Sequence, residues 1–91
     1  VTGQVVAFLY RNPHATIQVM VTAESGEKVR YLIEWAGAAA LAGSGVSRGT
    51  LVAGDSVVIK GNPGRNAADN RMRLISITRP SDGWVWGQAY N

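Results

Sequence analysis

His14 is the one histidine of the chain, and it follows directly on Asn12-Pro13 inside the stretch FLYRNPHATIQVMV. A neutral imidazole at the start of a strand can ligate a transition metal. One ligand is not a site, so Glu24, Glu34, Asp55 or a donor from outside the chain would have to join it. The plainer expectation is a histidine that hydrogen-bonds to the turn backbone. Glu34, set between Ile33 and Trp35, is a carboxylate in an otherwise apolar strand. If buried it must be paired, and Arg11 and Arg48 are the candidate partners, in a structural ion pair rather than as a catalytic acid. Trp84 and Trp86 stand two apart, hence on one face if that segment is a strand. Capping the core is their expected use, with partner contact second.

No catalytic constellation accompanies these residues. Nucleophilic catalysis needs a hydroxyl or thiol beside a positioned base, and cysteine is absent while histidine occurs once. The stretch GSGVSRG has three glycines but lacks the Lys-Ser/Thr of a phosphate loop, and it reads as a connector. The expectation is a protein that is not an enzyme and carries no cofactor. Asn12, His14, Glu34, Trp35, Arg48, Trp84 and Trp86 are the candidate ligand-binding residues, with His14 also the candidate metal ligand.

The elements that must position them are mostly strands. Thr2 to Tyr10 is apolar on both faces, which suits a strand packed on two sides or one that curls. Asn12-Pro13 ends its ladder, because proline has no N–H to donate and asparagine readily bonds its own backbone in a turn. Ala15 to Thr22 alternates as a half-buried antiparallel strand. A Gly-containing turn at Glu24–Lys28 leads to a third strand at Val29 to Trp35. Four alanines and a leucine between Gly37 and Gly43 favour a short helix with that glycine as its cap. A turn at Ala53-Gly54-Asp55 precedes a fourth strand at Ser56–Lys60. The polar loop NPGRNAADN leads to a fifth strand at Met72 to Thr78, which Pro80 stops.

Five strands with one short helix between the third and fourth is the order of an OB-like barrel, an all-β class. Asn12-Pro13 would then turn the corner between the first two strands. One domain over residues 1–91 is expected, with 81–91 a tail that carries two tryptophans.

Hydrophobic residues make up 46% against 16% charged, which excludes a disordered chain. No apolar run approaches the roughly 20 residues of a membrane span. The net charge of +3 comes from lysines and arginines scattered along the sequence, whereas nucleic-acid domains cluster theirs. Binding to nucleic acid is therefore not the first expectation, although the basic balance with Tyr10, Tyr31 and Trp35 makes an oligonucleotide-binding OB domain the alternative. The chain opens on VTGQVV, without methionine and already in a strand pattern, so removal of a signal peptide is expected.

The run from VTGQVVAFLYRNPHATIQVMV through GEKVRYLIEWAG to GVSRGTLVAGDSVVIKGNP resembles a family of small exported bacterial proteins of unknown function. The resemblance covers most of residues 2–78. Its most specific pieces are Asn12-Pro13-His14 and the spacing Ser47-Arg48…Leu51…Gly54-Asp55. It implies a periplasmic or secreted OB-like barrel made with a signal peptide, and it implies no activity. In some relatives histidines precede the first strand, and such a segment would complete a metal site with His14. Val46 stands where relatives carry tryptophan, so Trp84 or Trp86 would fill that space.

The expected function is a non-catalytic, exported binding or interaction module for a small ligand or a protein partner. Metal binding through His14 and oligonucleotide binding are the alternatives. Self-association as a homodimer, through a barrel edge or the tail aromatics, is a further expectation.

Overall fold

The computed structural model describes residues 1–87, the side chain of Ala67 excepted. The last four residues of the expected tail, 88–91, lie outside the described residues. Six strands and two short helices follow one another as β1 (Thr2–Leu9), β2 (Thr16–Thr22), β3 (Lys28–Glu34), α1 (Ala38–Gly43), β4 (Ser56–Pro63), a 3-10 turn (Ala67–Asp69), β5 (Arg71–Arg79) and β6 (Trp84–Gly87). The strands form one sheet in the order β3-β2-β1-β4-β5-β6, and a parallel pairing of β3 with β5 closes five of them into a barrel. This is the expected five-stranded OB-like barrel, with its single short α-helix between β3 and β4.

The two apolar faces of β1 have a specific cause. Its register against β2 shifts between Val5 and Ala7, so that Val5 opposes Val19 while Phe8 opposes Ile17. An extra residue in one strand flips every later side chain to the other face. Val5 is therefore buried before the bulge, and Phe8 and Tyr10 pack on the core after it, leaving Leu9 38% exposed. Beyond the bulge β1 stays with β2, while its first residues, Thr2–Gln4, also pair with β4. A strand shared by two neighbours must bend, and the bulge supplies the bend.

Inside the ring, Ile17, Val19, Ile33, Val57, Ile59 and Ile77 are buried. Leu41 of α1, with Val46 and Leu51 of the following loop, completes this core. The helix runs through Gly43, ends on Ser44 and leaves the positive φ to Gly45, so its cap lies one to two residues beyond the glycine expected from sequence. β4 likewise continues to Pro63, because a register shift between Lys60 and Gly61 lets the chain carry on pairing with β5 past the bulge.

β5 has two edges and three neighbours. β4 takes one edge along most of its length. On the other, Arg71–Arg73 pair with Leu32–Glu34 of β3, and Ser76–Arg79 pair with β6. β5 thus changes partner near Leu74, and β3 and β6 diverge there as the two prongs of a fork. β6 is outside the ring. No helix among the described residues is long and apolar enough to cross a membrane.

Candidate functional site

Three cavities meet around Glu34, the last residue of β3. The first, of about 240 Å3, lies in the fork. Trp35, Ala36, Leu74 and Trp86 form its apolar wall, and His14, Glu34 and Arg73 its polar rim. The second, of about 680 Å3, opens under the β4–β5 loop between Arg65, Asp69, Arg71 and Arg73. The third, of about 400 Å3, runs along the β1–β2 turn from Arg11 to Thr16 and shares His14 and Glu34 with the first.

Local sequence explains how each part is held. The Asn12-Pro13 peptide is cis. The turn it makes is docked on α1: the amide of Ala38 donates to Arg11 O at 3.0 Å, and that of Ala39 to Asn12 Oδ1 at 3.1 Å. Those amides are among the helix's unpaired N-terminal donors, so the β1–β2 turn caps α1. Gly37 permits the approach, since a Cβ there would stand 2.5 Å from Pro13 O and 2.7 Å from Asn12 Oδ1. Asn12 is accordingly a scaffold residue. Among the described residues His14 makes no side-chain hydrogen bond; it is exposed and lines two of the cavities.

Glu34 is paired with Arg71, Nη2 to Oε2 at 2.8 Å, and with neither Arg11 nor Arg48. The expected partners are corrected by topology: the parallel β3–β5 ladder sets the start of β5 beside the end of β3. Arg48 is elsewhere, its guanidinium 5.9 Å from the centre of the Tyr10 ring.

The tryptophans divide. Trp35 is 5% exposed and meets Trp86 edge to face, with ring centres 5.1 Å apart. Trp86 Nε1 donates to Ser44 Oγ at 3.1 Å, and that hydroxyl donates on to Leu41 O at 3.0 Å. Trp84 lies away from the fork under Arg79, 5.3 Å from guanidinium to ring centre. Arg79 bridges Asp55 at 3.0 Å and Asp82 at 2.9 Å, and its Nη1 also donates to Thr50 O. The Asp82 hydrogen bond is the main cause that raises the pKa of Arg79, and the Arg79 hydrogen bond is the main cause that lowers that of Asp82. This network staples the β5–β6 turn to the loop before β4, and so fixes where β6 leaves the ring.

The structure therefore brings His14, Glu34, Trp35 and Trp86 together, and leaves Asn12, Arg48 and Trp84 in supporting positions. Arg73, Ala36 and Leu74 line the same cavity and escaped sequence reasoning, although the Arg71–Arg73 spacing on one strand face was the available signal. Two buried polar side-chain atoms have no hydrogen-bond partner among the described residues: Trp35 Nε1 and Thr16 Oγ1. Both belong to residues that line these cavities. No group of three or more histidine, cysteine or acidic side chains that could hold a metal occurs among the described residues.

Fold and cavity together define a small OB-type barrel with a mixed apolar and charged cleft between its β1–β2 turn and its β4–β5 loop. The chain belongs to a family of unknown function (DUF6152), whose model matches residues 1–73. β6 with Trp86 lies beyond the matched residues. No curated protein matches the chain, and no solved structure does.

Proposed function

We propose that the protein is a non-catalytic binding module that seats a small ligand in the fork between β3 and β6. The observation that carries this reading is the fork cavity itself, about 240 Å3, in which an apolar wall of Trp35, Ala36, Leu74 and Trp86 meets the polar rim of His14, Glu34 and Arg73. A buried donor or acceptor without a partner costs about 1–3 kcal/mol, and nearly all such groups in folded proteins are satisfied. Trp35 Nε1 is such an unpartnered group just behind the fork wall, and Thr16 Oγ1 is another beside the adjoining cavity of the β1–β2 turn. OB barrels often bind ligands between these same two loops, which supports the reading by analogy of fold alone. A stacking platform for oligonucleotides is less well supported, because Trp35 is buried and the Tyr10 hydroxyl is held 2.8 Å from Val46 O.

The test is a nitrogen-15 NMR screen of the protein against a chemically diverse library of single-ring fragments at millimolar concentration. Binders should shift the indole N–H signals of Trp35 and Trp86 and leave that of Trp84 in place. A library with no binder, or binders that shift only signals remote from the fork, would overturn the proposal.

Export belongs to the same proposal and is supported by the resemblance of residues 2–78 to small exported bacterial proteins. Fractionation of the native host should find the protein outside the cytoplasm; a purely cytoplasmic distribution would refute that part.

A further inference from the structure

We infer that the ligand of this seat is an organic anion with a ring-sized apolar body, its acidic head on Arg73 and its body against Trp35 and Trp86. This deepens the proposed function and rests on it.

The charge argument comes first. The residues lining the three cavities around Glu34 include four arginines, Arg11, Arg65, Arg71 and Arg73, against two carboxylates, Glu34 and Asp69. That surplus of two is most of the chain's net +3. Four of the nine basic residues, scattered in sequence, are brought around Glu34 by the two loops and the start of β5. Glu34, the one carboxylate at the fork, is neutralised by Arg71 at 2.8 Å. Arg73 lies opposite Glu34 in the β3–β5 register, lines both the fork and the neighbouring cavity, and makes no ion pair among the described residues. A guanidinium in this position offers a planar fork of donors that matches a carboxylate, sulfonate or phosphate head.

Size and shape specify the rest. An apolar cavity of about 150 Å3 holds benzene, so the roughly 240 Å3 of the fork admits one ring with a short acidic substituent. The rings of Trp35 and Trp86 stand 80° apart and make an apolar corner, its accessible side chiefly the half-buried Trp86, against which such a ring can pack.

The experiment measures affinity for matched probes by NMR titration at low salt: benzoate and phenylacetate against benzamide and phenylacetamide, with inorganic phosphate alongside. Hydrogen bonds to a charged group contribute about 1.5–3 kcal/mol, so the carboxylates should bind about tenfold or more tightly than their amides. Arg73→Gln should collapse that ratio by weakening the carboxylates far more than the amides, whereas Arg48→Gln should preserve it. Amides that bind as well as carboxylates would overturn the anion assignment and leave the seat intact. Phosphate that binds as tightly as the ring carboxylates would overturn the ring-sized body. Failure of both probe classes and of the fragment library would remove the seat itself.

Discussion

Trp35 and Trp86 meet edge to face, 5.1 Å between ring centres and 80° between planes, and they come from elements 51 positions apart that share no ladder. Trp35 closes the end of β3, a ring strand, whereas Trp86 stands on β6, outside the ring. Aromatic pairs of this geometry contribute about 0.5–1.5 kcal/mol beyond the area they bury. Their contact is therefore a tie between the barrel and its added strand, and one wall of the fork depends on it.

Trp86→Ala removes that tie, the donor to Ser44 Oγ and half of the apolar wall. Because Trp86 is only half-buried, the loss should be about 2 kcal/mol, below the range for a fully buried tryptophan. Urea unfolding should show the lowered midpoint, and the Trp35 indole N–H should exchange faster with solvent. An unchanged Trp35 exchange rate would mean that Trp86 does not cover it.

Gly37→Ala tests the docking of the β1–β2 turn on α1. The added methyl would meet Pro13 O and Asn12 Oδ1 at less than contact distance, and the first of these is backbone. A cost of about 1–3 kcal/mol is expected, with amide shifts confined to residues 11–15 and the first turn of α1. Since the turn carries His14, the same variant should weaken any ligand that binds the fork.

The Arg79–Asp82 pair gives a pH dependence of known sign. Asp82 titrates below its usual value of 3.8, chiefly through the hydrogen bond from Arg79. A carboxylate with a depressed folded-state value contributes its stability above the unfolded value and loses it as pH falls through the folded one. The pair should thus be intact at neutral pH and weaken only below about pH 4. Arg79 is shifted upward, so its own contribution persists until strong alkali. Carbon-13 titration of the Asp82 carboxyl should move toward the ordinary value in Arg79→Gln. The β5–β6 turn should then loosen, visible as broadened Trp84 and Trp86 signals.

Arg71→Gln should change stability little, by less than about 1 kcal/mol, because the bridge to Glu34 is exposed on both sides. Its effect should appear instead at the fork. With Glu34 no longer neutralised, carboxylate probes should bind more weakly while neutral ones are unaffected. A double-mutant cycle with Glu34→Gln separates the pair from the single charges.

The fold was largely legible because its signals are local. Alternation in β2, the glycine turn before β3 and the alanine run of α1 each follow from short-range rules. What escaped was non-local. The parallel β3–β5 pairing leaves no mark in either strand's own period, so nothing local points Glu34 to Arg71 rather than to Arg11 or Arg48. Of the candidate site, the aromatic and titratable members His14, Glu34, Trp35 and Trp86 stand out in sequence by their types. Arg73, Ala36 and Leu74 are unremarkable in sequence and become a wall only where β5 exchanges β3 for β6. The bulge in β1 was legible as an anomaly, two apolar faces, before its cause was visible.

That exchange of partners has an evolutionary reading. The ring closes on β1 to β5 without help, and the four residues of β6 are appended to it. A lineage could lengthen, replace or lose that appendage, and alter Trp86 with it, while every ladder of the ring stays paired. A change in the final strand would then reshape the fork at some cost in stability, as at Trp86, without unpairing any strand of the ring.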